Sequence, residues 1–593
     1  MQSPAGPVSP ELPPEPRPVD ARVIGLAALA IAVAGAAGLV AQLLTRLIGL
    51  ITNLAFYGRA STAFVSPAEH HLGWWVLLVP VAGALVVGVM ARWGSPAIRG
   101  HGIPEAMERV LLGQSRIPKR VTILKPLSAA ISIGTGGPFG AEGPIIATGG
   151  ALGSLVGQLL PVSADERKTL LAAGAAAGMA ATFGSPVSAV LLAVELLLFE
   201  YRARSLIPVS LAAATACAVR YAFVGSAPVF AMPDLAQPGG AALAIYVALG
   251  AVVGLASIGV TRLVYGIEDG FDKLPLHWMW WPAIGAVAVG LCGVIAPRTM
   301  GVGYDNIEHI VGGQLVGGAM VALVFWKLVS WSISLGSGTS GGTLAPLFTI
   351  GGGLGSALVG AAALVLPSSV GLDVRIGALV GMAAMFAGAS RALLASVVFA
   401  FETTRQPLGL LPLLGGCAAA YLVSCVGMRN SIMTEKIARR GARVVGDYAA
   451  DFLDGVLVRD HATMRALVSL RADDLVEAVR ARLDAGAVRL QHQGFPIVDD
   501  NGELVGVVTR RDLLAADCAP GTLVGALVRR APVEVFEDSS LREAADQMTR
   551  AGVGRLPVVT RANPRRAIGI LTRSDLVAAH QHRLDATVAA AAS

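Results

Sequence analysis

Between Lys125 and Gly157 the chain reads KPLSAAISIGTGGPFGAEGPIIATGGALGSLVG, with one carboxylate, Glu142, at the centre of GAEGP. The stretch has too much glycine for an ordinary membrane helix and too little polarity for a soluble loop. It reads as membrane backbone interrupted on purpose. An acid inside such a segment is costly to place and functional by default; the competing reading is a carboxylate that only caps a broken helix. A second titratable group, His101, stands in GHGIPEAMERV, where Pro104 suits a first helical turn and Glu105 a helix N-terminus. Glu195 and Glu402 end matching apolar segments and read as solvated or helix-pairing acids rather than transport groups. Near the C-terminus, Thr509 with Asp512 and Thr572 with Asp575 form two ThrXXAsp helix openings.

The elements that position these groups follow from an internal repeat. Lys327 to Ser356, KLVSWSISLGSGTSGGTLAPLFTIGGGLGS, aligns with the first stretch without a gap, pairing Lys125 with Lys327, Ser128 with Ser330, Gly140 with Gly342 and Pro144 with Pro346. GMAATFGSPVSAVLLAVELLLFEYRAR likewise pairs with GMAAMFAGASRALLASVVFAFETTR. Two Gly/Pro-interrupted apolar segments at corresponding places in two halves point to a transporter's binding site, with half-helices ending near the bilayer midplane. We place the transmembrane part at 22–428, with halves at about 22–223 and 239–427. A Pro-rich disordered tail precedes it at 1–21, and a linker helix follows at 429–450.

Composition agrees with that class. Of 593 residues 54% are hydrophobic and 15% charged, which excludes a large soluble core and indicates a multi-pass membrane protein. The net charge of +6 comes without a basic run interleaved with aromatics, so nucleic-acid binding is not expected. Basic residues between Arg92 and Arg120 put that connection on the cytoplasmic side, and Trp74 and Trp75 suit an interfacial anchor. Cys217, Cys292, Cys417, Cys425 and Cys518 have neither disulfide nor metal spacing and read as packing residues; no metal site is expected.

From 451 to 582 the chain becomes soluble in character and repeats again, in units of about 451–517 and 524–582, before a short tail at 583–593. GFPIVDDNGELVGVVTRRDLL matches GRLPVVTRANPRRAIGILTRSDLV, each giving strand, turn, strand and then ThrXXAsp. Asn501 and Gly502 suit a two-residue hairpin turn, and Ser540 with Glu543 a capping box. Paired units of this form resemble a tandem CBS domain.

Through GHGIP, GAEGP and GGTLAP the membrane part resembles the CLC family of chloride channels and chloride/proton antiporters over nearly its whole length. The resemblance implies a mostly α-helical fold of two inverted-topology repeats with a cytoplasmic α/β CBS pair. It implies a plasma-membrane homodimer with a pore in each subunit, and no enzyme. It assigns gating to Glu142, whose charged carboxylate occupies an outer anion site and whose protonated form swings away. It assigns the anion to positions His101, Gly102, Ile103, Gly143, Thr343, Leu344, Ala345 and Met433, chiefly through the backbone N–H groups of Thr343 and Leu344 and the side chain at 101. A helix N-terminus suits that role because it offers unpaired N–H groups and partial positive charge. His101, where serine is frequent, lines the pore or faces the inner vestibule. In the CBS pair the resemblance places Thr509, Asp512, Thr572 and Asp575 at an adenine nucleotide, with dimer packing as the alternative; no other cofactor is required.

Several positions depart from the family pattern. A tyrosine of the central site falls at Met433, a phenylalanine at Leu344, and the basic residue before the gating glutamate is Ala141. The inner proton-transfer glutamate of exchangers falls at Leu196, which cannot carry a proton. We therefore expect a chloride channel or loosely proton-coupled transporter regulated by the CBS pair. Strict antiport, another anion such as fluoride or nitrate, a CBS-bearing cation transporter, and a membrane sensor signalling through its CBS domains are the alternatives. Cation transport calls for several converging intramembrane acids, and the central motifs supply one.

Overall fold

The computed structural model describes residues 19, 21–441, 452–464, 467–484, 492–515, 519 and 521–581. Most of the expected N-terminal tail, the linker beyond 441, Cys518 and the C-terminal tail lie outside them. The chain divides into two units, Val19–Tyr448 and Ala449–Ser593.

The first unit is helical. Among the described residues eight helices are long and apolar enough to cross a membrane, beginning with Ala21–Tyr57 and Gly73–Gly94 and ending with Pro407–Gly427. Between them lie shorter apolar helices such as Val121–Gly134, whose 14 residues rise only about 21 Å, less than a bilayer's apolar thickness. Such a piece can stop short because its far end lies inside the protein: Gly134 is buried, and a Cβ there would collide with Ile51. Small residues make the contact close: helix Glu142–Leu159 meets Ala164–Phe183 so tightly that a Cβ on Gly149 would collide with the carbonyl of Gly174. The repeat partners Leu344–Val365 and Val374–Ser390 meet in the same way through Gly351 and Gly381.

The halves are locked by an exchange of carboxylates. Glu195, near the C-terminal end of Pro186–Leu198, accepts from the N–H groups of Leu394 and Ala395, both at 2.9 Å, at the start of Leu393–Thr404. Glu402, near the end of that helix, accepts from Val187 at 3.0 Å and Ser188 at 2.8 Å, at the start of Pro186–Ala193. Each acid therefore caps the other half's helix, satisfying orphan N–H groups and opposing the helix dipole. An end-to-start exchange in both directions requires the two helices to run antiparallel, as inverted repeats demand. This is the helix-pairing role among those the sequence offered.

Of the linker expected at 429–450, the described part is helical only at Glu435–Arg439. It is held by Lys436 on Glu105 at 2.7 Å, by Arg439 on Asp269 at 2.5 Å, and by Arg440 on Glu108.

The second unit holds two three-stranded sheets of identical plan. In the first, Leu470–Arg471 runs parallel to Gly494–Val498, which pairs antiparallel with Leu504–Thr509; Val535–Phe536, Arg555–Val559 and Ala567–Thr572 repeat the pattern, with a register shift at the same place. The turn after the first hairpin strand differs from expectation. Only Gly502 has positive φ, whereas the two-residue turn needs it at Asn501 as well. Asp499 instead accepts from the N–H groups of Asn501 (2.9 Å) and Glu503 (2.7 Å), which closes a longer loop. Ser540 caps Leu541–Ala551 by accepting from Glu543 N–H at 3.2 Å.

Removing either exchanged carboxylate strands two N–H groups at a cost of about 1–2 kcal/mol. Glu195→Ala and Glu402→Ala should each lower the thermal midpoint of the detergent-purified protein by a few degrees. A midpoint unchanged in both would show that the exchange contributes no stability.

Candidate functional site

Three chain breaks meet at one place in the first unit. Gly100 N–H donates to the carbonyl of Thr339 at 2.9 Å, Gly342 N–H to Gly140 at 2.9 Å, and Gly140 N–H back to Gly342 at 3.3 Å. A Cβ on Gly143 would lie inside contact distance of the His101 carbonyl and 3.0 Å from the Gly342 Cα. Only glycine permits three backbones this near. The helices Ile103–Leu112, Glu142–Leu159 and Leu344–Val365 all start here, and the last two have no side-chain cap. Of the positions expected to bind the anion, His101, Gly102, Ile103, Gly143, Thr343, Leu344 and Ala345 thus belong to one junction of helix N-termini.

The junction is fixed from behind by two lysines related by the repeat. Lys125 Nζ donates to the carbonyls of Ile98 and Gly100, both at 2.8 Å. Lys327 Nζ donates to Thr299 at 2.9 Å and Gly301 at 3.2 Å. Both lysines are buried, and their ammonium groups hold the loops that precede Ile103–Leu112 and Tyr304–Val311. Glu105 adds a tie, accepting from Gly102 N–H at 2.7 Å with one oxygen while Lys436 donates to the other at 2.7 Å.

Glu142 is 0% exposed and neither carboxylate oxygen has a hydrogen-bond partner. It folds over Gly140, close to Gly342. A buried polar group without a partner is exceptional and marks a place where a ligand, water or proton belongs. The hydroxyl of Tyr304, itself buried and unpartnered, approaches the carboxylate without meeting hydrogen-bond geometry, and the charge of Lys327 also bears on it. His101 is 6% exposed, leaves Nδ1 unpartnered, and lines a cavity of about 510 Å³ with Arg99, Glu105, Lys125, Lys436 and Arg440.

The other two expected positions are apolar and buried. Leu196 is buried on the π-helical turn Val194–Leu198. Met433 is fully buried with its N–H on Ser431 Oγ at 3.2 Å. A tyrosine hydroxyl does reach the Met433 segment from a distant helix: Tyr265 donates to the Ile432 carbonyl at 2.8 Å and lines the same cavity as His101. Tyr265 and Tyr304 were not singled out in the sequence; the alignment of GVGYD with GHGIP is the signal that leads to Tyr304. Among the described residues no cluster of His, Cys, Asp and Glu could hold a metal.

In the second unit, Asp512 Oδ2 accepts from Thr509 N–H at 2.9 Å and from its hydroxyl at 2.5 Å. Thr572 and Asp575 repeat this at 2.7 and 2.8 Å. Burial pushes the Asp512 carboxyl up, but the Thr509 donors and the charges of Arg529 and Arg511 outweigh it and hold the group below its ordinary range. Thr509 and Asp512 line a cavity of about 470 Å³ together with Arg529, Arg530, Gly554 and Arg555; the second pair does not line it.

Residues 82–425 match the family described as voltage gated chloride channel, and 458–518 and 524–582 each match the CBS domain. The chain is 25% identical over 559 residues to "Chloride channel protein CLC-f" of Arabidopsis thaliana, covering 82% of this chain and 70% of that protein. It is 29% identical over 399 residues to "H(+)/Cl(-) exchange transporter ClcA" of Salmonella arizonae, covering 65% and 84%. A solved structure of a slow cyanobacterial Cl-/H+ antiporter shares the fold with a TM-score of 0.63 at 22% identity, over 71% of this chain and 98% of that one.

A Cβ at Gly342 would lie 2.5 Å from the Gly140 oxygen and 3.0 Å from Gly143 N. Gly342→Ala should therefore spread the junction and weaken chloride binding, measured by calorimetry in detergent, at least about tenfold, a loss of 1.4 kcal/mol or more. Wild-type affinity in that variant would remove the junction from anion binding.

Proposed function

Because the chain belongs to the voltage gated chloride channel family and carries two CBS domains, we propose that it moves chloride across a membrane along a path gated by Glu142, as a channel or loosely proton-coupled transporter. The observation that carries this reading is the buried, unpartnered carboxylate of Glu142 among uncapped helix N-termini. Those N-termini attract an anion, and the carboxylate is an anion tethered to the site. Charged, it competes with chloride; protonated, it loses that attraction and yields the place. His101 supplies a ring nitrogen from the cavity side, where its unpartnered Nδ1 leaves capacity for an anion or a proton.

Loose coupling is supported by Leu196, an apolar, buried side chain where an exchanger of the family carries its inner acid. Eight apolar helices make the chain an integral membrane protein, and we take the functional unit to be a homodimer with the CBS pair in the cytoplasm. Regulation by that pair is supported by the Lys436–Glu105–Gly102 chain of contacts, which ties the segment leading toward the second unit to the anion junction.

For the CBS pair we infer an adenine nucleotide in the cleft of Thr509 and Asp512. The free carboxylate oxygen suits ribose hydroxyls, and Arg529, Arg530 and Arg555 suit phosphate.

Chloride flux with simultaneous pH recording in proteoliposomes tests the transport reading. We expect sustained flux whose pH dependence is lost in Glu142→Gln and Glu142→Ala, with little uphill proton movement. Absence of flux favours a sensor, a wild-type pH profile in the variants removes Glu142 as gate, and fixed-ratio proton pumping establishes strict antiport. Calorimetry of the full-length protein with AMP, ADP and ATP tests the cleft: binding should occur and be lost in Asp512→Ala. No heat at millimolar nucleotide would leave the pair a structural element.

A further inference from the structure

We propose that Tyr304 is the outer latch of the gate, its phenolic hydroxyl donating to the charged Glu142 carboxylate and releasing it on protonation. The inference rests on the reading of Glu142 as gate and adds a positioning residue on its other side.

The repeat locates the residue. Gly100, His101, Gly102 and Ile103 correspond to Gly301, Val302, Gly303 and Tyr304, and all four glycines have positive φ. Lys125 and Lys327 hold the two loops by the same pair of carbonyl contacts. The loop carrying Tyr304 is thus the counterpart, across the pseudo-two-fold, of the loop carrying His101. If His101 faces the inner cavity, Tyr304 faces outward. Its inner counterpart, Ile103, is apolar; a hydroxyl at 304 departs from the symmetry at the point where the carboxylate lies.

Burial makes the hydroxyl consequential. Tyr304 Oη has no hydrogen-bond partner, nor does either oxygen of Glu142, and the two groups bear on each other electrostatically. One donor and one acceptor, both buried, orphaned and adjacent, satisfy each other with a small side-chain movement, removing two desolvation penalties at once. A hydrogen bond to a carboxylate favours its charged form. The other charged group bearing on Glu142 is Lys327, which in turn faces Asp305. Lys327 is committed to the Thr299 and Gly301 carbonyls, and the other donors near the carboxylate are the backbone N–H groups of Glu142 and Ala345, fixed in their helix starts, so Tyr304 is the side-chain donor able to follow the carboxylate.

The ring is placed to communicate outward. It packs edge-on against Phe183 at 5.7 Å and Phe230 at 6.0 Å, and stacks on Phe64 at 6.2 Å. Phe64 is exposed and lies in the connection between the first two spans, on the opposite side from the basic 92–120 connection. Rotation of Tyr304 therefore links the carboxylate to that outer surface.

The test is chloride flux against external pH in proteoliposomes for wild type, Tyr304→Phe, Glu142→Gln and the double variant. Tyr304→Phe removes the hydroxyl, which faces Glu142 and the Ala141 N–H, and keeps the ring's packing. It should move the midpoint of the flux–pH curve to higher pH by about one unit, because the charged carboxylate loses a donor. In the Glu142→Gln background the same change should leave flux unaltered, since an amide has no charge for the latch to hold. An unchanged midpoint in Tyr304→Phe, while Glu142→Gln still abolishes pH dependence, overturns the latch alone. An equal effect of Tyr304→Phe in both backgrounds overturns it too, by showing a merely structural role. A wild-type pH profile in Glu142→Gln overturns the gate reading itself.

Discussion

A fully buried carboxylate with no hydrogen-bond partner sits at the junction of helix starts, and the rest of the first unit is arranged around that fact. Isolated charge in a low-dielectric interior is not tolerated unless something compensates it. Here the compensation is diffuse: partial positive charge from helix starts that carry no side-chain caps, and one buried lysine, Lys327, whose ammonium group is spent on carbonyls. Diffuse compensation suits an exchangeable anion, because a full countercharge in direct contact would hold one ion and not release it.

Such an arrangement requires helices that stop in mid-structure, and stopped helices must be held. The inverted repeat does this twice over. Lys125 and Lys327 bind equivalent loops, and Glu195 and Glu402 cap equivalent helices in the opposite half. Each device uses one charged side chain to satisfy two backbone groups that would otherwise be left unpaired. The symmetry breaks at His101 against Val302 and at Tyr304 against Ile103, and both breaks put a polar ring beside the junction. The Glu105–Lys436 ion pair then attaches the segment after the last span to that same junction, and the pairs of Glu108 with Arg440 and Asp269 with Arg439 hold it to the neighbouring helices.

Much of this was legible in the chain. The gap-free repeat and its glycines announced broken helices, and GHGIP, GAEGP and GGTLAP placed the three loops that converge. Glu142 stood out because no other acid occupies those motifs. The reciprocal capping was not legible beyond a general helix-pairing role, since a carboxylate's partner is fixed by packing between segments some two hundred residues apart. Tyr265 was hidden for the same reason. Tyr304 could have been found by carrying the repeat alignment back to GHGIP with a one-residue shift in register. The turn at Asn501–Gly502 was misread because Asp499, two residues earlier, offers the backbone a competing side-chain acceptor.

The central claim is that helix N-termini from both repeats hold the anion beside Glu142. It is tested most directly by anomalous diffraction from crystals of the full-length protein grown in bromide. The account predicts a bromide peak at the first-turn N–H groups of Leu344–Val365, next to His101, and a second peak at the Glu142 carboxylate position when Glu142→Gln is used. Bromide found only elsewhere, with the junction empty in both proteins, would contradict it.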